Sequence, residues 1–178
     1  MSFDGREFRT ALGYFPTGVI IATAFAEGGE PIGMTMSSFN SVSLDPPLVL
    51  FSIHRESSSF SQWQKCTRYA INVLADDQEE LSNRFASSKG RKWEGMMPTI
   101  GRTGVPYLGE APVSFECEAY AAYDGGDHEI FVARVLEIRK REGKDELPLL
   151  FYGGRYRKLA NAAHPHQARI EDGYLYGW

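Results

Sequence analysis

The chain has 178 residues, a formal net charge of −4 and an isoelectric point of about 5.6. That length accommodates one domain with a substantial core, and the acidic balance gives no electrostatic footprint for nucleic acid. No apolar run reaches the ~18 residues needed to cross a bilayer, no basic-then-apolar leader opens the sequence, and Cys66 and Cys117 show neither metal nor redox spacing. A cytoplasmic, reduced protein with no membrane partner is expected. Arg6 to Tyr14 carries Phe8 and Leu12 on one stripe and predicts a short amphipathic helix ended by Pro16. "GVIIATAF" (Gly18 to Phe25) reads as a strand, "EGGEP" as a tight turn and "IGMTM" (Ile32 to Met36) as the returning strand. "SVSL" and "LVLFSI" (Leu48 to Ile53) predict a further strand pair, separated by prolines that cannot donate to a ladder.

Ser57 to Lys65 predicts a helix with Phe60 and Trp63 three apart, and "YAINVL" (Tyr69 to Leu74) predicts a strand. Asp76 to Ala86 is a helix with acidic residues at its start and Leu81 and Phe85 on one stripe. Lys89 to Leu108 is rich in glycine and proline, and a loop of that length in a compact domain is often functional. From Val113 to Ala121 apolar and polar residues alternate strictly, and Glu129 to Ile138 is apolar on both faces, as a central strand is. A last short strand lies within Leu147 to Leu159. Strands joined by short turns, with about three helices between them, predict a mainly β antiparallel barrel with helical insertions. Residues 1–160 form that domain, and 161–178 form a tail expected to pack on the barrel or on a partner subunit.

Familiar signatures are absent: no Gly-x-Gly-x-x-Gly after a strand, no P-loop, no His-Glu-x-x-His and no Gly-x-Ser-x-Gly. His164 and His166 in the tail read as solvated, so no metal is expected, and His54 reads as a contact to its adjacent loop. Three clusters remain. Thr35, Ser37, Ser38, Ser41 and Ser43 form a hydroxyl-rich rim at the end of a strand, which suits a phosphate and a polyol, or else satisfies its own turn backbone. "DGGDH" (Asp124 to His128) places two glycines at a hairpin tip, where a ligand can approach backbone closely; the alternative is a plain hairpin with a satisfied histidine. Arg84, Lys89, Arg91 and Lys92 gather at a helix end and suit an anion, or else form a solvated basic face.

Taken in this order, "FPTGVIIAT", "GMTMSSFNSVSLDPPLVLFSI", "YAINVLADDQEELSNRFA", "GDHEIFVARV" and "PLLFYGGRY" resemble the flavin reductase family, from about Phe8 to Leu159. The resemblance implies an FMN-binding split β-barrel, an antiparallel Greek-key barrel that binds NADH or NADPH without a dinucleotide domain. It also implies that Thr35, Met36, Ser37, Ser38, Ser41 and Ser43 line the flavin, with Ser52 and the helix end Ser82, Arg84, Phe85 and Ala86 closing the other side and Lys92 near phosphate. Met36 stands where relatives often carry a smaller residue, which bears on pocket volume. Gly126, Asp127 and His128 would meet the nicotinamide nucleotide, with His128 positioning the hydride donor. The expected activity is hydride transfer from NAD(P)H to FMN or FAD, released to a partner monooxygenase by a homodimer. The alternatives are a tightly held FMN that reduces another acceptor, such as a ferric chelate, and a non-catalytic flavin-binding module.

Overall fold

The computed structural model describes residues 3–88, 92–142 and 146–159. The chain opens with helix α1 (Gly5–Leu12), whose first amides donate to the Asp4 carboxylate at 2.8 and 2.7 Å. There follow β1 (Thr17–Gly18), β2 (Ile20–Phe25), β3 (Pro31–Met36), β4 (Asn40–Leu44) and β5 (Pro47–His54). Next come α2 (Phe60–Lys65), β6 (Arg68–Val73), α3 (Glu79–Ala86), β7 (Thr99–Ile100) and β8 (Pro106–Tyr107). The chain closes with the long pair β9 (Val113–Gly125) and β10 (His128–Lys140), then β11 (Leu150–Tyr152) and β12 (Arg155–Arg157). The last predicted strand is thus a hairpin of two.

Seven strands form one antiparallel sheet in the order β3-β2-β6-β9-β10-β5-β4. Its two edges, β3 and β4, are consecutive in the chain, so three residues span from one edge of the sheet to the other and the sheet must curl. Side chains from one face of β2, β3, β5, β6, β9 and β10 accordingly meet in a single cluster with Trp63 of α2. Phe51 and Phe131 stack at its centre with ring centroids 5.3 Å apart. Two register shifts between β9 and β10 supply extra twist for the curl. Because β3 and β4 do not pair, the barrel stays split along that seam.

A second layer covers the outside of β2. Val19, Ile21, Leu74, Phe85, Leu108 and Leu149 are buried there, under α3 and the 99–111 segment. This layer changes the meaning of the β9 alternation, because its polar residues Ser114 and Glu116 are buried as well. Asn72 accepts from the Leu108 N–H and the Ser114 hydroxyl at 2.9 Å each, and donates to the Ile21 carbonyl at 2.8 Å. Glu116 accepts from the Thr103 N–H and Oγ1 at 2.7 Å each, from the Arg102 N–H at 3.1 Å and from Arg139. Glycine is required at 101, since a Cβ there would lie 2.4 Å from the Glu116 carboxyl carbon. Among the described residues no helix is long and apolar enough to cross a membrane.

The amphipathic helix at the start of the chain differs from expectation in one respect. None of its residues is buried, and Phe8 and Leu12 stay at least half exposed. The tail, including His164 and His166, lies outside the described residues, as do Lys89 and Arg91.

Candidate active site

The seam of the barrel opens beside the end of β5. Pairing between β4 and β5 begins at Asn40 opposite Leu50, so beyond that point the far edge of β5 has no strand beside it. Backbone groups left unpaired there would be costly if shielded from water. Ser38 supplies the replacement: its hydroxyl accepts from the Ser52 N–H at 3.0 Å and donates to the Ser52 carbonyl at 3.1 Å. Thr35 donates to the Ser82 carbonyl of α3 at 2.6 Å. These two hydroxyls therefore serve the backbone. The hydroxyls of Ser37, Ser41, Ser43 and Ser52 have no protein partner among the described residues and remain free for a ligand. Met36 is buried with the barrel's core cluster.

On the other side of the rim, Ser82 is fully buried and its hydroxyl meets the Tyr156 hydroxyl at 2.8 Å. Phe85 is fully buried too, its ring lying under Gly33 and edge-on to Trp93. These two side chains are framework, and Ala86 at the end of α3 is the exposed member of the trio. Arg84 spends its guanidinium on the Lys92 carbonyl at 2.6 Å and on the Glu94 carbonyl. Lys92 donates to the carbonyls of Gly33 at 2.9 Å and Phe85 at 2.8 Å, and burial draws its pKa downward. One ammonium N–H of Lys92 has no acceptor among the described residues. Lys92 borders a cleft of about 450 Å³ shared with Gly33, Ser58, Ser59, Ser88 and Trp93. The indole N–H of Trp93 is buried and has no partner among the described residues. A cleft of similar size, about 450 Å³, lies between α1 and Gly153–Gly154 and contains none of the predicted site residues.

The glycine turn stands one step further along the seam. Gly126 takes a φ of 77°, which lets the tip turn within two residues. Register pairs Ser52 with Ile130 and His54 with His128. Ser52 and His54 therefore share one face of β5, about 7 Å apart along the strand. Ser52 of the rim thus lies on the same face of β5 as the histidine that meets the turn. His128 Nδ1 lies 2.6 Å from Asp127 Oδ1, and His54 Nε2 lies 3.8 Å from Asp127 Oδ2. The hydrogen bond from His128 holds the Asp127 carboxyl below its ordinary value.

Arg55 fastens the turn. Its N–H donates to the Asp127 carbonyl at 2.9 Å and its Nε to the Gly126 carbonyl at 3.1 Å, while its terminal nitrogens reach Asp124 at 2.7 Å and Glu129 at 3.1 Å. Sequence reasoning passed over Arg55. Its reading of His54 as a contact to the adjacent loop holds, since His54 Nδ1 accepts from the Glu56 N–H at 3.1 Å, but it missed the pairing with His128. A signal was present: "FSIH" (Phe51 to His54) and "HEIF" (His128 to Phe131) mirror each other, as two antiparallel strands in this register do.

Residues 12–160 match the family model described as a flavin reductase like domain. The chain belongs to the flavin reductase family. It is 45% identical over 88% of its length to the FMN reductase (NADH) SmoA of Agrobacterium fabrum, covering 87% of that protein. The NADH:FAD oxidoreductase SgcE6 of Streptomyces globisporus, solved with NAD and FAD fragments, superposes with a TM-score of 0.83 at 33% identity, over 90% of this chain and 96% of that one. A homolog of nitrilotriacetate monooxygenase component B from Mycobacterium thermoresistibile gives a TM-score of 0.85 at 32% identity over 96% of each chain.

Proposed function

We propose that this protein is an NADH-dependent flavin reductase that transfers a hydride to FMN or FAD and hands the reduced flavin to a partner monooxygenase. One observation carries the reading: in a chain of the flavin reductase family, the unpaired end of β5 carries Ser52 and His54 on one face, with the Gly-Asp-His turn directly opposite His54. The donor set fits a flavin, because hydroxyls without protein partners among the described residues suit its carbonyl, polyol and phosphate oxygens. Ser37, Ser41, Ser43 and Ser52 would hold the flavin, Ala86 and the Lys92 ammonium would bound it, and Gly126, Asp127 and His128 would receive the nicotinamide nucleotide. Flavin and nicotinamide themselves supply the redox chemistry. The chain's task is to bring the two rings to near-attack distance, about 3–3.5 Å, and to shield them from bulk water.

The same reading makes the molecule a cytoplasmic homodimer. Supporting it are the uncovered apolar side chains of Phe8, Leu12, Leu136 and Ile138 and two buried free cysteines. Anaerobic mixing of NADH or NADPH with FMN or FAD tests the activity. NADH oxidation that requires added flavin is expected. Absence of NADH oxidation with either flavin refutes the assignment. His128→Ala should raise the KM for NADH while leaving flavin affinity unchanged, and light scattering should report twice the chain mass.

A further inference from the structure

We infer that His54 is a positioning residue for His128, acting with Asp127 to set which ring nitrogen of His128 carries the proton. The consequence for the nicotinamide site rests on the function proposed above; the arrangement itself does not. Register places His54 directly opposite His128, and the two rings meet edge to face with centroids 4.9 Å apart at 83°. Between them one carboxylate divides its oxygens. Asp127 Oδ1 is 2.6 Å from His128 Nδ1, and Oδ2 is 3.8 Å from His54 Nε2.

The proton positions follow from the partners. His54 Nδ1 accepts from the Glu56 N–H at 3.1 Å, so the proton of a neutral His54 sits on Nε2, facing Asp127. A carboxylate beside His128 Nδ1 draws the proton of that ring to Nδ1. Nε2 of His128 is then the free nitrogen, an acceptor held in a fixed plane by the neighbouring ring. The turn cannot swing away from this geometry, because Arg55 holds the carbonyls of Gly126 and Asp127 and the carboxylates of Asp124 and Glu129. A purely stabilising role fits poorly. The side chains of His54 and His128 are 43% and 41% exposed and Asp127 is 75% exposed, and surface pairs of this kind contribute little to folding.

Long-range proton–nitrogen NMR on the full chain, carrying labelled histidine and no flavin or nicotinamide, reads the tautomers in mildly alkaline buffer. The wild type is expected to show His128 protonated on Nδ1 and His54 on Nε2. Asp127→Ala, which removes the acceptor, and His54→Ala should move the His128 proton to Nε2. His54→Gln, which keeps a donor at the Nε2 position, should preserve the wild-type tautomer. In kinetics, the first two variants should raise the KM for NADH several-fold with flavin affinity unchanged, and His54→Gln should stay near wild type. The inference is overturned if His128 carries its proton on Nε2 in the wild type, or if His54→Ala leaves it on Nδ1. Tautomers as expected with an unaltered NADH KM would uphold the positioning role and sink the nicotinamide role of the turn.

Discussion

Gly33→Ala probes the wall between the rim and the second layer. A Cβ at Gly33 would lie 2.5 and 2.6 Å from two ring carbons of Phe85, where carbon contacts settle at about 3.5–4.0 Å. Phe85 cannot yield freely, being fully buried with Trp93 against its edge at 5.1 Å. Overpacking of this kind costs about 1–3 kcal/mol. Moving the Gly33 carbonyl also loosens its bond from Lys92, worth about 0.5–1 kcal/mol once discounted for partial exposure. A total of about 2–3 kcal/mol is expected, which lowers the melting temperature by roughly 5–10 °C. Urea unfolding followed by tryptophan fluorescence measures it, and titration with FMN should show weakened binding because the Lys92 cleft is disturbed. Phe85→Leu makes room for the new methyl, so the double variant should be more stable than the two single changes predict, by at least about 1 kcal/mol. Additivity within about 0.5 kcal/mol would refute the proposed clash.

Glu116→Gln should destabilise by about 3 kcal/mol, the lower end for a broken buried pair because Arg139 is partly exposed. Burial alone would raise the Glu116 carboxyl, but hydrogen bonds from Thr103, then Arg139 and the Arg102 N–H, outweigh it and hold the group below its ordinary 4.5. A carboxyl depressed in the fold stabilises above its unfolded value and loses that contribution as pH falls through the folded one. The gap between wild type and variant in thermal melts should therefore narrow below pH 4.5; a gap independent of pH would contradict this. Ser38→Ala should cost about 1 kcal/mol by orphaning the Ser52 N–H and carbonyl, whereas Ser37→Ala should leave stability unchanged and weaken FMN binding about 3- to 10-fold in a fluorescence titration. Equal melting temperatures for these two variants would remove the tether role of Ser38. Burial pushes the Cys66 thiol up to about 11 and Cys117 up to about 12, so neither should react with a disulfide reagent at neutral pH until the chain is unfolded.

Most elements were legible in the sequence alone, because each is a local pattern: alternation in β9, an acidic first turn and an apolar stripe in α3, glycines at the Gly126 tip. The order of these blocks also identified the family. The tertiary structure decided what each polar residue is for. Ser38 and Ser37 are adjacent and alike, yet one replaces a missing strand and the other is free, since that depends on where β4 stops. Glu116 looked like a solvent-facing position, but a second layer of chain covers it. His54 meets His128 only through the β5–β10 register. Periodicity reports which residues share a face; the bonds those residues make depend on segments distant in sequence, brought together only when the sheet curls.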